Sequence, residues 1–398
     1  MISRLRRYMF MCCLSILLFC LVGCLARPAY ADGGAPQLAY VAGSAQGISV
    51  IDIAQRRVVR TIPLAGHPSA VLLSPDGQTL YGAQPGLGRV AAINAKTGKV
   101  VCAASLAGQP SLLALSLDAT VLYAAGQGST RVSALNPTTC ALERTFETHE
   151  PVYGLAVAAS TAVNATPSTP NQIWATGSAQ ITVFDATGQL LGAVPVAGGP
   201  QNISIPGGFT AYVTTRQHTL LAVDLETRKV IRTLLSGGEF GRMDFDETTG
   251  EVYVPDEQRD RLDVLTPVTI NTAVMPREPA RILPVSGSPQ AVAITNDGQL
   301  GFVALSNGQV VMLDLPGRAV ITTLTVGGTP HFIITGLYPP TTSTPARPRQ
   351  PVLSSSPLPI FPIVISVLAG GLLLVTLWLL WGFSRRGSGG QLSKRQRL

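Results

Sequence analysis

The amino-acid sequence predicts an all-β protein, a seven-bladed β-propeller of four-stranded antiparallel blades, followed by a C-terminal single transmembrane helix. Three observations support this prediction. One strand-and-turn pattern recurs seven times, its strands are short and rich in β-branched residues, and an uncharged apolar run lies near the C-terminus.

Each repeat contains a strand that begins with a small or apolar residue followed by an aromatic one, at intervals of 38 to 51 residues. A second apolar strand follows and ends in Asp or Asn in six of the seven repeats. Such a four-stranded sheet cannot bury both of its faces alone, whereas seven sheets around an axis can. The seven aromatic positions are Tyr40, Tyr81, Tyr123, Trp174, Tyr212, Tyr253 and Phe302.

The two ends of the repeat region predict how the ring closes. The chain enters the pattern at Leu38 with the second strand of a unit and leaves it with a lone first strand, at about residues 331–337. We therefore expect one blade to combine three N-terminal strands with one C-terminal strand, which removes an open sheet edge.

Four motifs of the first unit resemble a known family: Tyr40-Val41-Ala42-Gly43, Ser49-Val50-Ile51-Asp52, Gly66-His67-Pro68 and Ser74-Pro75-Asp76-Gly77. They are similar to YVTN β-propeller repeats, and the resemblance covers roughly residues 38–337. It implies the propeller fold and a place among bacterial and archaeal cell-surface, surface-layer-like proteins. The related lactonase-type propellers have a similar repeat, so the resemblance alone does not fix a function.

The termini predict export and membrane anchoring. The predicted domains are a signal peptide (1–31), the propeller (32–338), a stalk rich in Pro, Ser and Thr (339–359), a transmembrane helix (360–383) and a basic tail (384–398). Basic residues without acidic ones follow the apolar run Ile360–Phe383. The positive-inside rule then places the tail in the cytoplasm and the propeller outside a cell membrane that is crossed once.

The N-terminal segment allows three interpretations. Ala29-Tyr30-Ala31 is typical of a signal-peptidase site, with cleavage after Ala31. Leu21-Val22-Gly23-Cys24 resembles a lipobox, whose Cys24 would be lipidated. A retained N-terminal anchor is the third possibility. We favour cleavage after Ala31, because a second anchor lies downstream.

The net charge of +7 does not indicate nucleic-acid binding. Nine of the 29 basic residues lie in the N-terminal segment and the C-terminal tail, whereas all 22 acidic residues lie between Asp32 and Asp314. The middle of the chain is therefore slightly acidic, and a basic face for nucleic acid has no support.

Cys102 and Cys140 are the two cysteines outside the N-terminal segment. They could pair outside the cell. The repeat alignment, however, places them on neighbouring units at different heights, which favours two free buried thiols.

Several charged positions have a structural interpretation. Asp52, Asp185, Asp224 and Asp314 recur at one repeat position, so we expect them to cap the following turn rather than to act in catalysis. The segment Asp256–Arg261 carries mixed charges and is predicted to be a solvated loop tip.

Polar residues that interrupt the apolar innermost strands predict a ligand site near one mouth of the central channel. Three consecutive units are polar where the other four carry Ala, Leu or Phe, and two residues further Asp244 replaces a Leu or Ile. The alternative is an Arg242–Asp244 pair that compensates its own charges between blades. The candidate residues are Tyr153, Asn202, Arg242 and Asp244, with Glu150 and Glu239 in the adjoining corners.

His67, His149 and His331 lie in or beside corner loops and are the candidates for a zinc or copper site. They belong to separate blades and have no acidic or Cys cluster beside them, so surface or capping roles are favoured. We expect no metal and no cofactor.

The sequence contains no nucleophile elbow, phosphate-binding loop, dinucleotide fingerprint or Cys-based metal motif. We therefore predict a membrane-anchored extracellular propeller that acts as a binding, interaction or scaffold module. Its monomeric ectodomain would bind a surface protein or a glycan. The alternative is an extracytoplasmic lactonase-like hydrolase that uses Arg242 and the carboxylates of the channel mouth.

Overall fold

The computed structural model describes residues 38–159, 171–206, 209–268 and 278–336, which form seven four-stranded antiparallel sheets. The predicted all-β seven-bladed propeller is therefore confirmed. Within these ranges no helix is long and apolar enough to cross a membrane. The predicted signal peptide, stalk, transmembrane helix and basic tail lie outside the described residues.

The strands are numbered in chain order, and the blades follow the same order around the ring. The first three blades contain β1 (Leu38–Ser44), β2 (Gly47–Asp52) and β3 (Arg57–Pro63); β4 (Ala70–Leu73), β5 (Thr79–Gln84), β6 (Arg89–Asn94) and β7 (Val100–Ser105); β8 (Leu112–Leu115), β9 (Leu122–Ala125), β10 (Arg131–Leu135) and β11 (Leu142–Glu147).

The remaining four blades complete the ring, and the last strand returns to blade 1. They contain β12 (Gly154–Ala158), β13 (Gln172–Thr176), β14 (Gln180–Asp185) and β15 (Leu190–Pro195); β16 (Pro200–Ser204), β17 (Thr210–Thr215), β18 (Thr219–Asp224) and β19 (Lys229–Ser236); β20 (Asp244–Phe245), β21 (Val252–Asp256), β22 (Arg261–Leu265) and β23 (Arg281–Pro284); β24 (Pro289–Ile294), β25 (Leu300–Leu305), β26 (Gln309–Asp314) and β27 (Ala319–Thr325), followed by β28 (Phe332–Thr335).

Blade 1 closes the ring as predicted. Its strand order is β28-β1-β2-β3, with Ala39 of β1 opposite Thr335 of β28. Leu38 of β1 lies opposite Asp52, which in turn lies opposite Arg57. The chain therefore enters and leaves the ring at one end of blade 1.

The two ends of the ring differ in the turns they carry. The exit face contains Leu38 and Gly336, the turns between first and second strands, and the turns between third and fourth strands. The opposite, corner face contains the Gly-x-Pro corners and the turns between second and third strands. At this face the amide of Gly86 donates to the carbonyl of Gly66 at 3.3 Å.

Apolar side chains fill the seven spaces between neighbouring blades. Seven clusters of buried residues occur, each built from two adjacent blades. The aromatic residues of the repeats contribute to them, with Trp174 0% and Tyr40 1% exposed. Each blade therefore buries both of its faces, as the repeat pattern requires.

The recurrent Asp residues cap turns, as predicted. Asp52 Oδ1 accepts a hydrogen bond from the amide of Gln55 at 2.8 Å, and Asp314 Oδ1 accepts one from Gly317 at 3.0 Å. Asp185 and Asp224 accept equivalent bonds within their own turns. These carboxylates satisfy backbone donors of the turns, which explains their recurrence.

The expectation of two free thiols is wrong. Cys102 and Cys140 form a disulfide with a Cα–Cα distance of 5.9 Å. Cys102 lies on β7 of blade 2, whereas Cys140 lies in the turn before β11 of blade 3, so the bond joins neighbouring blades. Cys140 has a left-handed φ of 59°. Cys140 occupies a turn and not a strand, and for this reason the repeat alignment wrongly placed it at a different height from Cys102.

The prediction for the segment Asp256–Arg261 is wrong for its first residue. Asp256 is fully buried and accepts a hydrogen bond from Arg259 Nη1 at 2.6 Å. Arg261 Nε lies 2.9 Å from Oδ1 of Asp263, which is 1% exposed. Residues 258–260 are exposed, as expected of a loop tip. Some charged side chains of this segment therefore belong to a buried network of ion pairs that lies beside blade 5.

Candidate functional site

The innermost strands surround a small central cavity of about 90 Å³ that opens to solvent. Asn202, Arg242 and Asp244, three of the predicted site residues, line this cavity together. Apolar side chains such as Leu155 and Phe332 complete the adjacent wall. The cavity therefore combines apolar surface with a few polar groups, as small-molecule sites do.

The inner strand of blade 6 is irregular, and this irregularity places Arg242. Pro255 of β21 has no N–H group with which to continue the ladder to the inner strand. The carbonyl of Pro255 still accepts the amide of Gly241 at 3.0 Å, and the next residue, Arg242, forms a parallel bridge with Ala291 of blade 7. The amide of Arg242 donates to the carbonyl of Gln290 at 2.9 Å. Arg242 is thus fixed between two blades by its own backbone.

Asp244 lies two residues further along the same wall. Its Oδ2 atom accepts a hydrogen bond from the amide of Ile294 in β24 at 2.7 Å. Desolvation raises the pKa of Asp244 to about 7, against the lowering effect of the hydrogen bonds from Ile294 and Phe245, and the charge of Glu247 raises it further. The carboxyl group can therefore exchange a proton near neutral pH, as a general acid or base must.

The guanidinium group of Arg242 packs on an aromatic ring of blade 1. Its Cζ atom lies 4.9 Å from the centroid of Phe332, which is a favourable cation–π geometry. Burial lowers the pKa of the adjacent His331, and the positive charge of Arg242 lowers it further. His331 Nδ1 lies 2.8 Å from the carbonyl oxygen of Thr329. Arg242 thus presents a positive charge to the cavity from an apolar support.

A second group of predicted residues gathers on the corner face, outside the cavity lining. Arg216 of blade 5 packs over Tyr153, with its Cζ atom 4.3 Å from the ring centroid. Glu150 Oε2 accepts hydrogen bonds from Ser178 Oγ at 2.8 Å and from the amide of Ala179 at 3.2 Å. Burial alone would raise the pKa of Glu150, but these bonds and the charge of Arg216 outweigh it and lower the pKa.

We call Arg216, Tyr153 and Glu150 the corner cluster. Arg216 is exposed, whereas Tyr153 and Glu150 are half-buried. An exposed cation is therefore held over a fixed ring beside a carboxylate that remains ionised.

The structure does not bring Glu239 to either group. Glu239 is exposed in the corner before blade 6, where its carbonyl accepts the amide of Glu257 at 2.7 Å. Burial, together with the nearby charges of Glu239 and Asp256, raises the pKa of Glu257.

The three candidate histidines also lie apart. His67 and His149 are exposed and have left-handed φ angles of 51° and 62°, whereas His331 is half-buried. Among the described residues, no three His, Cys, Asp or Glu side chains are placed to hold a metal ion. The positions of His67 and His149 in tight corners fit the surface role that the sequence favoured, whereas His331 is partly covered.

Five functional candidates escaped the sequence comparison. Four line the cavity towards the exit face and belong to strand ends or turns that resemble ordinary polar turns: Ser204, Glu247, Asn296 and Thr335. The fifth is Arg216. Three other units have Ser at its repeat position, so the arginine was a detectable signal: these are Ser44, Ser178 and Ser306.

The sequence of this ring matches that of a known protein family. Residues 34–234, half of the chain, match the family PQQ_2, described as outer membrane protein assembly factor BamB. The chain belongs to this family. The match runs from blade 1 into the last strand of blade 5, and it agrees with the propeller fold. It does not confirm the YVTN resemblance, which stays a prediction.

Solved propellers share the fold of this PQQ_2 family member. A putative 6-phosphogluconolactonase from Bacteroides uniformis aligns with a TM-score of 0.60 and 15% identity over 75% of this chain and 99% of that chain. Kuenenia stuttgartiensis hydrazine synthase aligns with a TM-score of 0.54 and 14% identity over 68% and 89%.

Dihydro-heme d1 dehydrogenase NirN aligns with a TM-score of 0.55 and 14% identity over 77% of each chain. At these identities the likeness shows the fold alone. The comparison with curated proteins gives no match.

Proposed function

We propose that this protein is a membrane-anchored, extracytoplasmic β-propeller that binds a partner protein through its corner face. The family to which the chain belongs is described as an assembly factor for outer membrane proteins, and such a role fits contact between proteins. The partner is a protein in this proposal, and a glycan is the other class that the sequence predicted.

The corner cluster carries the proposal. Arg and Tyr are enriched among the residues that dominate binding energies at protein interfaces. Arg216 is exposed yet held over Tyr153 at 4.3 Å, so little conformational entropy remains to be lost when a partner covers it. The ionised Glu150 beside it supplies an acceptor for a partner's donor groups.

The proposed location has separate support. A disulfide between Cys102 and Cys140 fits an oxidising compartment outside the cytoplasm. The uncharged run Ile360–Phe383 and the basic residues after it favour a single membrane crossing with the tail in the cytoplasm. Cleavage after Ala31 or lipidation at Cys24 would both leave the propeller on the outer side.

The test compares variants of the full-length protein in detergent, immobilised and exposed to the solubilised membrane fraction of its host. We expect Arg216→Ala to weaken retention of a specifically bound protein by about thirtyfold, the loss typical of a dominant interface residue. Arg131→Ala is the matched control, because Arg131 is also exposed at the corner face but pairs with Glu147. Equal retention by both variants would contradict the proposed surface.

A second function is favoured by a different observation, the placement of Asp244 and Arg242 in the lining of one cavity. A carboxyl group with a pKa of about 7 could activate water as a general base, while Arg242 could stabilise the oxyanion of an opening lactone. This lactonase-like proposal predicts that Asp244→Asn and Arg242→Ala abolish lactone hydrolysis. Asp297→Asn, at an exposed turn of the exit face, is the control. Hydrolysis that survives in Asp244→Asn would rule this function out.

A further inference from the structure

Five exposed basic residues occupy the same turn in three adjacent blades. The turn between third and fourth strands carries Arg318 in blade 7, Arg56 and Arg57 in blade 1, and Lys96 and Lys99 in blade 2. We call these five residues the exit rim. Because the ring closes between blades 7 and 1, the three turns are consecutive on the exit face.

The exit rim has little compensating negative charge of its own. Asp52 and Asp314, the acidic residues of these turns, are half-buried and use their carboxylates to accept turn amides. In blade 5 the same turn carries Arg228 and Lys229 next to the exposed Glu226, but Arg228 is half-buried and donates to the carbonyl of Leu191 at 2.5 Å. The corresponding turns of blades 3 and 4, residues 136–141 and 185–189, contain no basic residue. Positive charge is therefore concentrated on one side of the face.

A side-chain contact joins the turns of blades 1 and 2. Arg60 of β3 donates through Nη1 to the carbonyl of Lys96 at 2.6 Å, and through Nη2 to the carbonyl of Ala95. This contact fixes the Lys96 turn against the outer strand of blade 1. The half-buried charge of Arg60 adds to the exit rim, so its field is continuous across the two blades.

Exposed apolar side chains follow directly after the basic turns. Val100, Val101 and Val320 are 48%, 64% and 53% exposed and lie within the first two residues of their outer strands. Every other blade also exposes an apolar residue in its outer strand. The apolar girdle is therefore general, whereas three consecutive blades with basic turns beside it occur only at the exit rim among the described turns.

The point at which the chain leaves the ring favours a lipid bilayer as the partner of the exit rim. The amide of Gly336 donates to the carbonyl of Leu38 on the exit face, at 3.3 Å. Only 23 residues separate Gly336 from the uncharged run Ile360–Phe383. Basic side chains interleaved with exposed apolar ones are the composition that binds an anionic membrane interface.

We propose that the exit rim binds anionic phospholipid headgroups at the surface of the bilayer. The inference rests on the proposed membrane location and adds a second, lipid-binding surface at the end of the ring opposite the corner cluster. Each basic residue near such a surface contributes about fivefold in affinity, and salt screens the contribution.

The experiment places the full-length protein in nanodiscs of phosphatidylcholine, with or without phosphatidylglycerol, and measures lysine acetylation by mass spectrometry. We expect Lys96 and Lys99 to react at least about fivefold more slowly in the anionic discs, and high salt to remove the difference. Lys229, in the matching turn of blade 5, is the internal control and should react equally in both discs. Equal reactivity of Lys96 and Lys99 in both discs, or protection that salt does not relieve, would overturn the proposal.

A variant with three of the basic side chains removed distinguishes protection of the lysines by lipid from protection by other causes. Arg56→Gln, Arg57→Gln and Arg318→Gln combined should abolish the lipid-dependent protection of Lys96 and Lys99 without a change in melting temperature, whereas Arg131→Gln should not. Persistent protection in the triple variant would overturn the proposal. Failure of the full chain to insert into discs would refute the proposed anchoring instead. Added anionic vesicles would then test the exit rim alone, with the same lysine readout and the same contradicting result.

Discussion

The carboxyl group of Asp244 in blade 6 accepts a hydrogen bond from the backbone amide of Ile294 in blade 7 at 2.7 Å. The inner strand of blade 6 pairs regularly with β21 over Asp244 and Phe245, so this bond adds a direct link from that strand to blade 7. The same carboxyl group lines the central cavity. One residue thus contributes both to the junction between two blades and to the polar wall of the cavity.

The raised pKa of Asp244 predicts a pH-dependent contribution to stability. The pKa is about 7 in the folded protein and about 3.9 in an unfolded chain, so between these values the folded state retains a proton that the unfolded state releases. Raising the pH through this window therefore lowers the free energy of unfolding. Asp244→Asn removes this effect, so its stability relative to wild type should increase from pH 4 to pH 7 and then level off.

Urea unfolding at a series of pH values measures this difference. A flat difference between Asp244→Asn and wild type across this range would show that burial does not perturb this carboxyl group.

The disulfide should contribute substantially to stability. Cys102 and Cys140 are separated by 38 residues, and closing a loop of that length stabilises a fold by about 4 kcal/mol in the chain-entropy description. Replacing both by Ser should lower the free energy of unfolding by roughly 2–4 kcal/mol. The reduced wild-type protein should behave like the double variant. A reductant that leaves the unfolding midpoint unchanged would contradict this expectation.

The contrast between the disulfide and the ring shows what the sequence could predict. The aromatic residues from Tyr40 to Phe302 recur because each occupies an equivalent buried site, so periodicity revealed the blades and their closure. The distance between Cys102 and Cys140 depends on one left-handed turn residue and on the packing of two blades. Repeat spacing contains no information about either.

Close contact between inner strands predicts that Gly154 tolerates no side chain. A Cβ atom on Gly154 would lie 2.2 Å from the carbonyl oxygen of Gln201 in the neighbouring blade. Gly154→Ala should therefore destabilise the protein by about 1–3 kcal/mol, because backbone must move. Gly301→Ala is the matched control in another blade: its Cβ atom would meet the flexible end of Leu315 at 2.9 Å. Thermal melting that ranks the two variants equally would contradict the prediction.

The buried charges of blade 6 should matter more than exposed ones. Asp256 is 0% exposed and bonds Arg259, whereas Glu147 pairs with Arg131 at the surface. Asp256→Asn should lower the free energy of unfolding by about 2–3 kcal/mol, since it removes a buried charged acceptor from its hydrogen bond with Arg259. Glu147→Gln should cost no more than about 1 kcal/mol. Chemical denaturation of the two variants distinguishes them, and equal losses would contradict the inferred burial.

The candidate site was predicted in part. Asn202, Arg242 and Asp244 were identified because each replaces an apolar residue at an inner-strand position, and the structure brings them to one cavity wall. Comparing equivalent inner-strand positions of the repeats could not predict that Tyr153 lies on the corner face, because its partner Arg216 comes from a turn of another blade. Contacts between turns depend on blade packing, which no single repeat encodes.

The most direct test of the account is cross-linking in the living host from a photoreactive amino acid at Gln217, beside Arg216 on the exposed corner face. We expect one dominant protein adduct from this position, its loss in Arg216→Ala, and no adduct from the same probe at Gln127, which is exposed in the corresponding turn of blade 3. An absent adduct at Gln217, or one that persists unchanged in Arg216→Ala, would contradict the claim that the corner cluster binds a partner protein.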